Sequence, residues 1–349
     1  MRSANCGENM DPRAEQILDH IIEQYIQTAE PVGSRAISKL TELNLSAATI
    51  RNVMSDLTEV GMLSQPHTSA GRVPTDRAYR YYVDKLQKNK PEETIQDEVW
   101  PAKRPYERLE DLLYEAAQEL TEETHCTGLL LSPRPASSKL NRVELIGISG
   151  TQVLVVLVTQ AGMVKNRIIT LKECPEQEDL NLVASKLCEL FLGHAIGDIH
   201  EGLLETLAGK TDRLSAHAIR IGKKALEIET SGEVYISGGA NLCGFPEFNN
   251  QASLKKVYQE FEDKRGLSRI LNEMTRSAGL HVTIGSENQA AGLESCSILA
   301  RTYGTTNSLL GSIGIIGPTR IDYPKVIKAI DRSSRKLSYA VDHFLNSNT

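Results

Sequence analysis

Arg51 and Asn52 are adjacent in the chain, and Ala48 and Thr49 stand just before them. These residue types can read base edges. Arginine donates two parallel hydrogen bonds to guanine, and asparagine reads adenine. Alanine or threonine methyls pack on the thymine methyl. Ser55 follows one helical turn later. A second polar group, His67, Thr68, Ser69 and Arg72, lies in the run PHTSAGR. Its imidazole, hydroxyls and guanidinium suit phosphate contacts or a minor groove. Arg77, Arg80, Lys85 and Lys88 come next and are candidates for neutralising a phosphate backbone.

Such groups work only if helices and turns present them together. Ile17, Leu18, Ile21, Ile22, Tyr25 and Ile26 recur as a broad helical stripe. Glu30 to Gly33 breaks the chain, and Ser34 is an N-cap for a short second helix that carries Ile37 and Leu40 inward. Asn44 falls in the following turn. Ser46 caps a third helix whose apolar stripe is Ile50, Val53, Met54 and Leu57, with Gly61 at its end. Ala47, Ala48, Thr49, Arg51, Asn52 and Ser55 lie away from that stripe, as a recognition helix requires. Met62–Gln65 and Arg72–Pro74 read as short strands around the turn-forming Pro66–Gly71, so a wing follows the recognition helix. Thr75 and Asp76 open a fourth helix that buries Tyr79, Tyr82, Val83 and Leu86.

Charge supports this placement only when it is resolved along the chain. The 349 residues sum to −6. Residues 34–90 hold nine basic and five acidic side chains, a net of +4, which leaves −10 for the remainder. A modest basic patch on an acidic protein points to nucleic acid only where the fold focuses it. On charge alone a solvated mixed-charge surface is the better reading.

The composition, 40% hydrophobic and 24% charged, excludes a disordered tail, a collagen-like chain and a disulfide miniprotein. The longest apolar runs, such as Val153–Val158, are strand-sized, so no membrane span is expected. The N-terminal run MRSANCGENMDPRAEQ lacks the apolar core of a secretory signal. Cys6, Cys126, Cys174, Cys188, Cys243 and Cys296 are scattered without a C-x-x-C pair, so reduced thiols in a cytoplasmic protein are expected. A metal on Cys188, His194 and His200 would have to sit across an apolar helix pattern.

Enzyme signals fail on spacing. Gly209-Lys210-Thr211 ends like a phosphate loop, but the glycine required five residues before Gly209 is Leu204. Gly311, Gly314 and Gly317 have the wrong spacing for a dinucleotide site, and Pro318 follows. Gly238, Gly239 and Gly244 bracket a loop near Cys243. Ser231 and the eight histidines form no local nucleophile or triad signature. No catalytic residue, cofactor or metal is therefore expected.

The stretches PVGSRAISK and SAATIRNVMSDLTEVGMLSQPHTSAGRVPTDRAYRYYVD resemble the heat-inducible transcription repressor family HrcA. The resemblance is closest over residues 13–86, about a fifth of the chain, and weaker beyond, including GSIGIIGPTRIDY. Ala47 and Ala78 depart from the family pattern, where Ser or Pro and Gly are usual. Neither removes a charged contact. The first nine residues look like an addition, with Met10 as an alternative start. The resemblance implies a dimeric, nucleoid-associated repressor of chaperone operons that binds the inverted-repeat operator CIRCE in double-stranded DNA. It implies loss of activity on heat shock and maintenance of activity by a GroEL-type chaperonin. On this reading the DNA-binding set is Ser34, Arg35, Ser46, Ala48, Thr49, Arg51, Asn52, Ser55, His67, Thr68, Ser69, Arg72, Arg77 and Arg80.

The resemblance also implies three parts, and the fold class expected is α+β. A winged helix-turn-helix domain occupies 10–88 and a linker 89–105. A GAF-like α+β domain occupies 106–200 and 279–347, with a mostly helical dimerisation domain inserted at 201–278. Strands are expected at Thr127–Leu131, Val143–Ser149, Gln152–Thr159, Val164–Leu171, Val234–Ser237, His281–Ile284, Ser297–Tyr303 and Ser312–Ile316. The order of strands, helical block and strands fits an insertion, although consecutive domains would read similarly. Two further functions stay open. One is a winged-helix regulator with a small-molecule effector in the GAF-like domain. The other is a nucleotide-dependent enzyme using residues 202–211.

Overall fold

The computed structural model describes residues 10–39, 45–67, 70–88, 106, 108–133, 139–160, 164–172, 174–196, 199, 221, 232–288, 290, 292–305 and 308–347. The expectations for Leu40, Asn44, Thr68, Ser69, the linker 89–105, Ser231 and the 202–211 segment lie outside these residues.

The N-terminal reader begins with α1 (Pro12–Thr28). Asp11 accepts a hydrogen bond from the Arg13 N–H at 3.2 Å, and Pro12 occupies the first turn, where no amide is needed. Ile17, Leu18, Ile21 and Ile22 are buried. A short α2 (Ser34–Ile37) buries Ile37. In α3 (Ala47–Glu59), Ser46 caps the start by accepting from Thr49 N at 3.1 Å, and Ile50, Met54 and Leu57 face inward. The end of α3 closes with Gly61 at φ +76, Gly61 N donating to Thr58 O and Met62 N to Leu57 O. Gly61 supplies the left-handed residue that this paired closure needs. The wing follows as β1 (Leu63–Ser64) and β2 (Val73–Pro74), antiparallel, with Val32 bridging to Arg72 beside them. The fourth helix, α4 (Asp76–Lys88), buries Ala78, Tyr79, Tyr82 and Val83.

The body is a five-stranded antiparallel sheet ordered β7-β3-β10-β9-β8. Its strands are β3 (Thr127–Leu131), β7 (Val234–Ser237), β8 (Leu280–Ile284), β9 (Cys296–Thr305) and β10 (Ser308–Pro318). One face packs on α5 (Leu109–Thr124) and on the closing helix, which spans Tyr323–Ser347. Leu130, Leu299, Ile313 and Ile315 meet Leu113, Ala116, Leu120, Ile330 and Leu337 there. The other face packs on α7 (Gln251–Asp263) and α8 (Arg265–Met274). There Leu129, Leu131, Ile298 and Ala300 meet Val257, Phe261, Leu267 and Leu271. Gly311 and Gly314, noted above for their spacing, lie inside β10. A Cβ at either would come 2.1 Å from Leu131 O or 2.0 Å from Leu299 O, so these glycines allow tight strand packing.

A separate unit interrupts the body. Strands β4 (Leu140–Gly147), β5 (Gln152–Thr159) and β6 (Val164–Thr170) form their own antiparallel sheet under α6 (Gln177–Phe191). Val143, Leu145, Val153, Val155, Leu157 and Ile169 pack there on Leu180, Val183, Leu187 and Phe191. Cross-strand register puts Ile146, Leu154 and Ile168 together on the opposite face, with Val156, Val158 and Val164 beside them. Ile146, Val164 and Ile168 are 43, 55 and 56% exposed. The chain leaves the body after Ser132 and rejoins it at Glu233, where Ser132 N donates to Glu233 O and Glu233 N to Ser132 Oγ, both at 2.9 Å.

This corrects the expected domain boundaries. Residues 234–274 do not form an insertion; β7 pairs with β3, and α7 and α8 cover the sheet. The interrupting unit instead contains the meander at 140–170 that was assigned to the GAF-like domain. Both sheets have the same apolar alternation, and alternation does not say which sheet a strand joins.

Candidate nucleic-acid interface

Ala48, Thr49, Arg51, Asn52 and Ser55 are all exposed on α3. Burial of Ile50, Met54 and Leu57 on the opposite stripe turns them outward. Ser46 Oγ and Thr49 Oγ1 share a hydrogen bond at 2.9 Å, so the hydroxyls at the start of α3 are held together. Among the described residues, no hydrogen bond or ion pair engages the side chain of Arg51 or Asn52.

Neighbouring elements fix α3. Arg72 Nε donates to Thr58 Oγ1 at 3.0 Å, tying the wing to the helix. Thr75 Oγ1 bonds to Gly61 O at 2.8 Å and Met62 O at 3.0 Å. Arg77 Nη1 donates to Val60 O at 2.8 Å, at the negative end of α3. Gln65 Nε2 donates to Ala70 O at 3.2 Å across the wing. His67 at the tip is exposed, and so is Arg35 on α2, whereas Ser34 is half-buried. The structure therefore gathers Arg35, Ser46, Ala48, Thr49, Arg51, Asn52, Ser55, His67 and Arg77 on solvent-facing parts of one small reader, with Arg72 half-buried between wing and helix. This set carries positive charge and hydrogen-bond donors, and the nearest acidic side chains on α3, Asp56 and Glu59, lie toward its C-terminal half.

Two basic side chains of α4 are placed otherwise. Arg80 is half-buried against the body. Its Nε donates to Glu287 Oε1 at 2.8 Å, a second nitrogen pairs with Glu287 Oε2, and Nη2 donates to Val282 O at 2.7 Å. Asp84 adds a contact at 3.5 Å. Arg80, expected among the DNA contacts, thus has its guanidinium fork occupied by a carboxylate of the body, unlike Arg51. Lys85 sits 2.6 Å from both Glu15 and Asp19, bracing α4 against α1. The Lys85 hydrogen bond holds the Glu15 carboxyl below its ordinary range, while burial pushes the Asp19 carboxyl up.

The seam between reader and body gave no sequence signal. The rings of Tyr79 and Tyr323 pack in a tilted arrangement, with centroids 5.8 Å apart and planes at 43°. Burial drives the Tyr79 hydroxyl well above its ordinary value, and among the described residues that hydroxyl has no hydrogen-bond partner. Arg320 pairs with Glu247 and donates to Ile26 O on α1 at 3.0 Å. Asp76, Arg80 and Asp84 recur at four-residue spacing on α4, the one trace of a docking face, but the same pattern marks a solvated helix surface.

No His, Cys, Asp or Glu cluster that could hold a metal occurs among the described residues. Cys188 Sγ instead accepts from Val143 N at 3.3 Å. Cys126 and Cys296 are buried, which pushes their thiols up to about 12. No described helix is long and apolar enough to cross a membrane.

Comparisons with known proteins agree with this division. Residues 9–88 match the model for the winged helix-turn-helix transcription repressor, HrcA DNA-binding, and residues 110–327 match that for the HrcA protein C terminal domain. The heat-inducible transcription repressor HrcA of Geobacter sulfurreducens is 37% identical over 336 residues, covering 95% of this chain and 98% of that protein. That of Acetivibrio thermocellus is 33% identical, covering 96 and 97%. A crystal structure described as that of a hypothetical protein shares the fold. Its TM-score is 0.60 at 24% identity, covering 97% of this chain and 99% of that one.

Proposed function

This chain belongs to the HrcA family of transcription repressors, DNA-binding regulators rather than enzymes, and from that premise we propose how it acts. It binds an inverted repeat of the CIRCE type in double-stranded DNA as a homodimer and represses chaperone operons from the nucleoid of the cytoplasm. Heat shock releases it, and a GroEL-type chaperonin restores it. The observation that carries the reading is the outward face of α3, where Arg51 and Asn52 stand exposed and, among the described residues, unengaged. A helix of this kind can enter a major groove, with Arg35, His67, Arg72 and Arg77 placed for the flanking backbone. Thr68 and Ser69 belong to the same set by their position in the wing sequence.

Two-fold DNA symmetry calls for two-fold protein symmetry. The open apolar face of the β4-β5-β6 sheet supports dimerisation through the unit that interrupts a GAF-like body, with Ile146, Val164 and Ile168 as anchors. Ile168→Glu should convert the dimer to monomer in analytical ultracentrifugation. An unchanged mass would move the interface elsewhere. Release on heating fits a body that opens locally and exposes its strands to a chaperonin.

Selection of bound duplexes from a random pool tests the main reading. An inverted repeat is expected. Recovery of unrelated sequences without symmetry would overturn it.

A further inference from the structure

A short turn of the body, Gly285–Glu287, lies between β8 and β9 and makes polar contacts to α4 of the reader. Gly285 has φ +54, and a Cβ there would fall 2.2 Å from Asp76 Oδ2, so only glycine lets the turn approach α4 this closely. Ser286 N then donates to Asp76 Oδ2 at 2.9 Å. Glu287 is itself oriented, because its Oε2 accepts from Ile284 N at 2.9 Å, and it takes Arg80 with both oxygens. The Tyr79–Tyr323 contact and the Arg320 bond to Ile26 O flank this grip. One hydrophobic core runs unbroken through reader and body.

The grip connects two rigid paths. On one side α4 is tied to α3 through Arg77 and Thr75. On the other, β8 and β9 lead through β10 and β3 to the neck at Ser132 and Glu233. There Lys165 of β6 pairs with Glu233, and beyond lies the apolar sheet face.

We propose that the Gly285–Glu287 turn sets the half-site spacing this repressor accepts, by fixing the angle between the recognition helix and the dimerising sheet. This inference rests on the dimeric operator-binding reading above. A swivelling reader would tolerate many spacings, whereas a gripped reader engages both half-sites only where the geometry closes. Arg80, expected from sequence to touch DNA, then acts on DNA choice from behind.

The test uses the full-length protein and duplexes with two inverted half-sites. One spacer is that recovered from the random pool; others are longer by one, two and five base pairs. Glu287→Gln and Gly285→Val are compared with the unmodified chain, and a single half-site serves as control. Both changes lie on the body, so single half-site affinity should not move. The unmodified protein should lose at least about tenfold in affinity when five base pairs are inserted, and Glu287→Gln should lose less than about threefold. The double change Arg80→Glu with Glu287→Arg should restore part of the discrimination. Spacer discrimination in Glu287→Gln and Gly285→Val as sharp as in the unmodified protein would overturn the proposal while leaving operator binding intact. Indifference to spacing in the unmodified protein would overturn both. Should Gly285→Val not fold, Glu287→Gln decides alone, because it removes one charge and keeps the turn's backbone bonds.

Discussion

Helices α3 and α4 are each 13 residues long, each amphipathic, and each decorated with polar and basic side chains. Their fates differ. The outward face of α3 meets solvent, and its Arg51 is unengaged among the described residues. The corresponding face of α4 meets a turn of the body and the side of α1, and its Arg80 and Lys85 are paired with carboxylates. A basic side chain is therefore not a DNA contact because it is basic. It is free to become one only where no carboxylate from another element has been brought to it.

The largest effect separating the two helices should come from the buried side of α4. Tyr79→Ala removes a ring shared by reader and body and should cost about 3 kcal/mol or more in denaturant unfolding. Tyr79→Phe should be nearly neutral, because the lost hydroxyl has no partner to strand. A large loss for Tyr79→Phe would reveal a hidden polar contact at the seam. On α3, Arg51→Ala should cost about 1–3 kcal/mol on the selected operator and relax base preference. Equal losses on operator and scrambled duplexes would return Arg51 to the backbone-contact class.

Salt titrations sharpen the contrast between Arg77 and Arg80. Arg77→Ala should weaken all sequences alike and reduce the salt slope by about 1. Arg80→Ala should leave the single half-site slope unchanged, since its guanidinium serves Glu287 and Val282. A fall in slope with Arg80→Ala would show that the seam opens on DNA. The smallest effect concerns acid. Glu15 is held below its ordinary value of 4.5 by Lys85, so its contribution to stability is present above that value. It is lost as pH falls through the lower folded value. Asp19, raised by burial, acts in the opposite sense and makes the loss shallow. Denaturation at pH 7 and pH 3 should show a smaller difference for Glu15→Gln than for the unmodified chain.

Much of the reader was legible because its signals are local. The stripe Ile50, Met54 and Leu57, the Ser46 cap and Gly61 are separated by a few residues, and helical geometry converts such spacing directly into a face. The strands Thr127–Leu131, Gln152–Thr159 and Val234–Ser237 were legible for the same reason. Their sheet membership was not. Val153–Val158 and Ile313–Ile316 are similar apolar runs, yet one builds the interrupting sheet and the other the centre of the body. Reading the helices near 250–274 as an insertion failed because covering a sheet and building a separate unit require the same amphipathic pattern.

The sequence by itself determined a winged reader, the exposed polar face of its third helix and the family of the chain. Those rest on caps, stripes and a long motif acting over a few turns. Only the tertiary structure decided that residues 234–274 complete the body, that the 140–170 meander stands apart, and that Arg80 pairs with Glu287. Each depends on a partner distant in the chain, as Arg80 does on Glu287, and pairing over such separations is set by packing rather than by local spacing.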